Sequence, residues 1–218
     1  MKSLVSLIVC GIFVFSIVAI ALSQQPKTQA GPQLLFPSDY RQWVYLSSGL
    51  DMQYTGEPNF SCKDKAGKDG PCPKMFENVF VRREAYDGFV KNKIWPAGTI
   101  FILERRCSVQ KASIDTSGST QGKLFLIAAS QKTKSAEHEG WNYYLFGSDA
   151  PLTCTGPDPD FSGQRHDPVS NCASETNPCN GETNPKMCWQ CHRSNGLKDN
   201  TFIQFYPTLK PLVAAKKK

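Results

Sequence analysis

The pattern of apolar and polar residues predicts a mixed fold, in which short strands alternate with a few helices. β-Branched and aromatic residues are concentrated in four stretches that we predict to be strands. These stretches are 79–81, 99–106, 123–131 and 141–146. Their order and short connections favour an antiparallel sheet, so the predicted fold class is α+β.

Apolar residues at helical spacing predict the helices. Tyr86 and its neighbours Phe89 and Val90 indicate a helix from Glu84 to Asn92. A second helix is predicted from Ser38, as N-cap, through Leu46. Residues from Met187 onward are predicted to be helical as well, and 202–206 form a closing apolar segment.

The N-terminus predicts the compartment. Lys2 precedes an apolar run over residues 4–22, and small and polar residues follow at Ala21 and Ser23. This order is typical of a secretory signal, which we assign to residues 1–23. The run is also long enough to span a bilayer, so an uncleaved anchor over residues 4–22 remains an alternative. Both interpretations place the folded part outside the cytoplasm, in the periplasm or otherwise exported.

Composition indicates one globular domain. The chain has 40% hydrophobic and 11% aromatic residues, which are ordinary values for a packed protein. We assign 24–34 to a flexible spacer, 35–212 to the folded domain and 213–218 to a basic tail. The net charge of +6 comes partly from the lysines of that tail. A basic tail without interleaved aromatic residues argues against nucleic-acid binding.

The sequence Cys188-Trp189-Gln190-Cys191-His192 is a C-x-x-C-H motif, the attachment signature of c-type haem. Two thiols on one helical turn can each form a thioether to a haem vinyl group, and the adjacent histidine then binds the iron. We therefore predict one covalent haem c on Cys188 and Cys191, with His192 as the proximal iron ligand.

Three alternatives compete with the haem at this motif. A disulfide between Cys188 and Cys191 would leave His192 an ordinary surface residue. A zinc site would use Cys172 and Cys179 as well, but this spacing fits no common zinc module. A thioredoxin-like redox pair would need a βαβ context, which the predicted elements do not supply.

The other cysteines are consistent with disulfides in an oxidising compartment. Of the nine cysteines, Cys10 lies in the apolar run and two belong to the motif, which leaves an even number. Six cysteines allow 15 connectivities. We favour the pairs Cys62–Cys72, Cys172–Cys179 and Cys107–Cys154.

With these residues in view, the chain resembles the cytochrome P-460 family, which includes the cytochromes c′-beta. The resemblance covers roughly residues 35–212, beyond the haem motif itself. Its landmarks are 40–44 (YRQWV), 79–81 (VFV) with Tyr86, 95–99 (WPAGT) and 199–207 (DNTFIQFYP).

The resemblance implies a curved antiparallel sheet with flanking helices and a haem against the sheet. It also implies a five-coordinate iron, often a homodimer, and activity toward hydroxylamine or nitric oxide. Relatives that oxidise hydroxylamine carry a cross-linking lysine where this chain has Leu103, and an assisting acidic residue near the position of Ala128. Enzymatic oxidation of hydroxylamine is therefore in question, whereas the haem and the fold are not.

The distal side of the haem is predicted to be apolar. Its candidate lining residues are Phe76, Phe80, Phe101, Leu103 and Ala128. Such a pocket favours neutral diatomic ligands over polar substrates. Met52 and Met75 are candidate sixth ligands, although gap filling is their more common role, and His138 and His166 are predicted to be surface residues.

Two function classes follow. The first is a cytochrome with an open iron position that binds or converts nitric oxide, hydroxylamine or a related small nitrogen species. The second is an electron-transfer or gas-binding cytochrome without turnover. Both would exchange electrons with a soluble partner protein.

Overall fold

A five-stranded antiparallel sheet is the main element of the computed structural model. The model describes residues 33–53, 61–63, 68–71, 73–110, 114, 116–135, 137–146, 154–166 and 185–214. The strands are β1 (Val44–Leu50), β2 (Met75–Val81), β3 (Ile100–Gln110), β4 (Ser119–Lys132) and β5 (Trp141–Phe146). Each strand pairs with the next one along the chain, so the sheet is a meander. The predicted α+β class and antiparallel sheet are confirmed.

Smaller elements complete the fold. The helices are α1 (Arg83–Asn92), α2 (Pro185–Asn195) and α3 (Lys210–Ala214), with 3₁₀ turns at Tyr40–Gln42, Glu137–Gly140 and Ile203–Phe205. Two short strand pairs join Leu34–Leu35 to Arg165–His166, and Ser61–Lys63 to Asp69–Pro71. The helices predicted around Tyr86 and after Met187 are confirmed, whereas α3 is an addition to the prediction.

The predicted helix from Ser38 to Leu46 is wrong beyond Gln42. A single 3₁₀ turn forms, and β1 begins at Val44. The Leu46 side chain is 4% exposed whereas its neighbour Tyr45 is 52% exposed. This is the alternation of a strand with one buried face, and pairing with β2 satisfies its backbone groups.

The sheet has two covered faces. One face, here called the helix face, packs against α1, α2 and the C-terminal segment. Its buried residues include Val81, Phe89, Trp95, Phe101, Trp141, Tyr143, Ile203, Tyr206 and Leu209. The opposite face, here called the N-terminal face, packs against the segment around Tyr40. Its buried residues include Tyr40, Ile102, Ile127, Tyr144, Phe146 and Phe161.

A buried carboxylate is the centre of a polar network on the N-terminal face. Glu104 is 3% exposed and accepts hydrogen bonds from Tyr40 Oη, from Arg41 Nε at 2.9 Å, from Asn78 Nδ2 at 3.1 Å and from Arg106 Nε at 2.8 Å. Burial by itself would raise the pKa of the Glu104 carboxyl. The hydrogen bonds from Tyr40, Arg106 and Arg41 outweigh it and hold that pKa below its usual 4.5.

One disulfide connects β3 to the segment after β5. Cys107 and Cys154 are joined, with their Cα atoms 5.7 Å apart, which confirms the predicted pair. The pairs Cys62–Cys72 and Cys172–Cys179 involve residues outside the described ranges and stay predictions.

The predicted signal or anchor, residues 1–23, also lies outside the described residues. Within the ranges that the structure describes, no helix is both long enough and apolar enough to cross a membrane.

Candidate functional site

Helix α2 brings the three residues of the C-x-x-C-H motif together. Pro185 begins the helix, where its missing N–H is tolerated. Residues three and four positions apart share one side of a helix, so Cys188, Cys191 and His192 are neighbours. Both cysteines are thiols, which argues against a disulfide between them. Cys188 packs against the core of the helix face, which places this side of α2 over the sheet.

The His192 ring is held in one orientation. Its Nδ1 lies 2.9 Å from the carbonyl oxygen of Asn200. A carbonyl can only accept, so Nδ1 donates and Nε2 keeps the lone pair that binds a metal. The ring also contacts Tyr143 at 5.0 Å and Phe202 at 4.6 Å between centroids.

Burial lowers the pKa of His192 to about 4, against the opposing effect of its hydrogen bond to Asn200. The imidazole is therefore neutral at pH 7, which is the protonation state required of an iron ligand.

Four apolar side chains form a line across the helix face, one from each of β2 to β5. They are Val79, Leu103, Ala128 and Leu145, paired in register across the strands. All four are half-buried. The adjacent line, which includes Phe101 and Tyr143, is buried in the cluster that contacts Cys188 and Trp189. The sheet thus presents an apolar strip next to the buried line that contacts α2.

The structure brings together only part of the predicted distal pocket. Leu103 and Ala128 lie directly opposite each other on β3 and β4. Phe101 is on the same face, but it is 5% exposed and its ring packs 4.7 Å from Trp95, so it belongs to the core.

Phe76 and Phe80 are corrections, because both lie on the N-terminal face. The Phe80 ring packs 5.5 Å from Tyr40 and 5.6 Å from Tyr45. Phe76 alternates with Glu77 along β2 and therefore points to the same side as Phe80. The prediction rested on residue type alone. It lacked the strand register, which determines the face of the sheet that each phenylalanine occupies.

An ion pair on the helix face was missed by the sequence analysis. Arg105 Nη2 lies 2.8 Å from Glu77 Oε1, and the two residues are cross-strand partners next to the Val79–Leu103 pair. Glu77 is 8% exposed. Alternation along β2 and β3 could have placed both residues on the face of Leu103, because each is two positions away from an apolar residue of the strip.

Several buried polar atoms on the helix face and on α2 lack a hydrogen-bond partner among the described residues. They are Arg105 Nε, Trp141 Nε1, Tyr143 Oη and Trp189 Nε1. Burial raises the pKa of the Tyr143 hydroxyl, and the Tyr143 ring lies 5.0 Å from that of His192. Native proteins seldom leave such atoms unsatisfied.

The residues present therefore fit a haem. The helix supplies two thiols and a neutral imidazole, the sheet supplies an apolar strip, and both carry buried donors without a partner among the described residues. In the ranges described here, no group of three or more His, Cys, Asp or Glu residues could hold a metal ion. Cys172 and Cys179 of the zinc alternative lie outside the described residues.

The two candidate sixth ligands, Met52 and Met75, pack against other side chains, and the two histidines were predicted to be surface residues. Met52 folds its sulfur over Gly49 of the edge strand, where a β-carbon would meet it at 1.9 Å. Met75 packs with Cys107 and Cys154. His138 is half-buried, with its ring 5.2 Å from that of Trp189, so its expected surface position is wrong. The His166 side chain lies outside the described residues.

Comparison with known proteins supplies a family. A family model described as Cytochrome P460 matches residues 37–203, a range that includes the whole sheet and helix α2. A search of curated proteins found no match.

Proposed function

Because this chain belongs to the cytochrome P460 family and is therefore a haem cytochrome, we propose that it carries one covalent haem c on helix α2. Cys188 and Cys191 form the two thioethers, and His192 Nε2 is the proximal ligand of the iron. The observation that carries this proposal is the His192 ring itself, which is neutral and fixed through Nδ1 to Asn200, one helical turn from Cys188. A bound haem supplies an iron that exchanges one electron and can take a small ligand in its open position.

Leu103 and Ala128, on the apolar strip, would line the haem on the side of the sheet. These side chains exclude water and offer neither charge nor hydrogen-bond donors. A neutral diatomic ligand loses little solvation on entering such a pocket, whereas a polar substrate loses more. The function that this chemistry supports best is the binding or conversion of a small nitrogen species, with nitric oxide favoured over hydroxylamine.

Turnover of hydroxylamine has weaker support. Proton-coupled oxidation needs a group that accepts protons within hydrogen-bond reach of the substrate. Neither Leu103 nor Ala128 can do this, and the neighbouring Glu77 carboxylate is already paired with Arg105. This observation favours the second candidate function, an electron-transfer or gas-binding cytochrome without turnover.

The setting of the protein is part of the proposal. Residues 1–23 direct export to the periplasm or another exported location, or residues 4–22 anchor the chain in the membrane. Electrons pass to or from a soluble partner protein, and the cytochrome is a homodimer.

Retention of haem tests the attachment. The exported protein should keep its haem after denaturation and acid–acetone extraction, and Cys188→Ala with Cys191→Ala should abolish this retention. Cys107→Ser with Cys154→Ser removes the disulfide-bonded cysteines elsewhere in the chain and should leave the covalent haem in place. Covalent haem in the Cys188/Cys191 variant would show that the assignment is wrong.

The spectrum of the reduced protein separates the two function classes. A five-coordinate high-spin ferrous spectrum that changes on addition of carbon monoxide or nitric oxide supports the open iron position. A six-coordinate low-spin ferrous spectrum supports the electron carrier.

A further inference from the structure

We propose that Asp199 is a positioning residue for the iron ligand. Its carboxylate fixes the turn that follows α2 and so holds the Asn200 carbonyl on His192 Nδ1. The inference rests on the proposed function in one respect, since the role of His192 as iron ligand is part of that function.

The turn that carries the Asn200 carbonyl is a constrained piece of backbone. Asp199 and Asn200 have φ values of 51° and 53°, in the left-handed region that non-glycine residues seldom adopt. Gly196 lies underneath, where a β-carbon would approach the His192 carbonyl oxygen at 2.5 Å and the Asn200 carbonyl carbon at 2.7 Å. Such a conformation persists only when contacts from elsewhere in the fold maintain it.

The Asp199 carboxylate receives those contacts from two distant parts of the chain. Oδ2 accepts a hydrogen bond from the backbone N–H of Trp95, just after α1, at 3.1 Å. Oδ1 pairs with Nζ of Lys132, the last residue of β4. The side chains of Lys132 and Asp199 are each 16% exposed. A pair so well removed from water holds its geometry more firmly than an exposed pair does.

A second connection supports the same turn through Trp95. Its indole Nε1 donates to Thr201 Oγ1 at 3.0 Å, and that hydroxyl donates to the Lys198 carbonyl at 2.7 Å. Trp95 is 1% exposed and Thr201 is 3% exposed. The backbone on both sides of Asn200 is therefore tied to the core of the helix face.

The Asn200 side chain, by contrast, points outward, where its Nδ2 donates to exposed Glu139 at 2.8 Å. The position of the Asn200 carbonyl thus depends on the backbone that Asp199 anchors. An acceptor on Nδ1 fixes the orientation of a ligating imidazole and raises its basicity toward the metal. Loss of the anchor should release this carbonyl, weaken donation to the iron and favour the ferrous state.

The first measurement is solvent exchange of the His192 Nδ1 proton, followed by NMR in the diamagnetic ferrous protein, with carbon monoxide bound if the iron takes it. The variants are Asp199→Asn and Lys132→Met, with Asp87→Asn on the exposed side of α1 as the charge-matched control. We expect exchange about tenfold faster in both anchor variants, the size expected for one hydrogen bond, and unchanged exchange in the control. The Gly196 amide, which donates to the His192 carbonyl, is the reference for general loosening of α2.

The second measurement is the ratio of ferrous to ferric protein at a fixed potential. Loss of the anchor raises this ratio in both variants, by up to about tenfold, which corresponds to about 59 mV for one electron. If the change of charge were the only effect, the ferrous-to-ferric ratio would rise in Asp199→Asn and fall in Lys132→Met. The result for Lys132→Met therefore distinguishes loss of the anchor from a change of charge. Lys132→Arg, which keeps the ion pair, should behave like the wild type.

The inference is overturned if the Nδ1 proton exchanges at the wild-type rate in either variant, or only in step with the Gly196 amide. A lowered or unchanged ferrous ratio in Lys132→Met overturns it as well. Wild-type protein without covalent haem would overturn the proposed function itself, a result that the haem-retention test reveals before these variants are compared.

Discussion

At the scale of single residues, the paired Leu103 and Ala128 side chains decide what the sheet can offer to a haem. They lie directly opposite each other on β3 and β4, and neither carries a charge or a donor. Next to the Val79–Leu103 pair on that face, Glu77 and Arg105 form an ion pair at 2.8 Å. A haem on this strip would therefore meet apolar side chains first and a balanced ion pair at the border.

The residue at position 103 gives the first prediction. Because leucine has no amine, the haem should be attached through Cys188 and Cys191 alone. Peptide mapping after trypsin digestion should find haem on the peptide that contains both cysteines. Haem linked in addition to the 94–105 peptide would contradict this, as would a red-shifted ferrous Soret band.

The ion pair gives a second prediction. In Glu77→Gln the Arg105 guanidinium loses its compensating carboxylate inside the protein, and a half-buried cation attracts anions. The affinity of the ferric protein for azide or fluoride should rise about tenfold, a change of one charge–charge interaction. Nitric oxide, which is neutral, should bind the ferrous form as in the wild type.

Spectroscopic titrations measure both affinities, and Asp87→Asn is the control that removes a carboxylate on exposed α1. Equal anion affinity in wild type and Glu77→Gln would show that Arg105 does not face the ligand.

At the scale of elements, the strands of the sheet were the most predictable part of the chain. Runs of β-branched and aromatic residues identified β3, β4 and β5, and the motif spacing identified α2 with its three functional residues. The segment 44–46 was ambiguous because Val44 and Leu46 fit both an amphipathic helix and an alternating strand. Pairing with the edge of β2, which is a tertiary contact, determines that this segment is the strand β1.

Strand register explains what could not be predicted at the site. A slip of one residue moves a side chain to the opposite face, so composition alone could not separate Leu103 from Phe80. Likewise, the contacts of Asp199 with Trp95 and Lys132 join residues far apart in sequence, and no local pattern announces them.

The disulfide between β3 and the segment after β5 gives a third prediction. Cys107→Ala with Cys154→Ala removes a cross-link that spans 47 residues. In the loop-closure treatment this lowers the free energy of unfolding by about 4 kcal/mol. Urea denaturation of the haem-loaded protein measures the loss, and the haem spectrum should stay unchanged because neither cysteine belongs to the cluster that contacts Cys188 and Trp189.

If the variant is as stable as the wild type, the disulfide does not raise the free energy of unfolding through loop closure.

At the scale of the whole molecule, the sheet separates two kinds of environment. The helix face holds the motif, the apolar strip and the Asp199 anchor, whereas the N-terminal face holds the buried network around Glu104. The network links the segment around Tyr40 to β2 and β3, so its contribution is to stability rather than to the haem.

The network gives a fourth prediction, on pH. The pKa of Glu104 is lower in the folded protein than in the unfolded chain, so the unfolded chain binds its proton more readily. The carboxylate therefore contributes stability above about pH 4.5, and that contribution is lost as the pH falls through the lower folded pKa. Glu104→Gln should be less stable than the wild type at pH 7, by about 3 kcal/mol, the usual cost of breaking a buried ion pair.

Urea midpoints measured between pH 7 and pH 3 test this. The difference between wild type and Glu104→Gln should shrink as the pH falls, and a difference independent of pH would contradict the assignment. Glu84→Gln on the exposed side of α1 controls for the loss of a surface carboxylate.

The C-terminal segment has a consequence for the order in which the protein matures. Ile203, Tyr206 and Leu209 fill the core of the helix face, and they follow both thiols in the chain. In the export that we propose, the chain leaves the membrane N-terminus first, so Cys188 and Cys191 emerge before the residues that pack over them. The motif would then be accessible to a haem while the strands of the sheet are already outside the membrane. The order of synthesis thus favours attachment of the proposed haem before the core of the helix face closes.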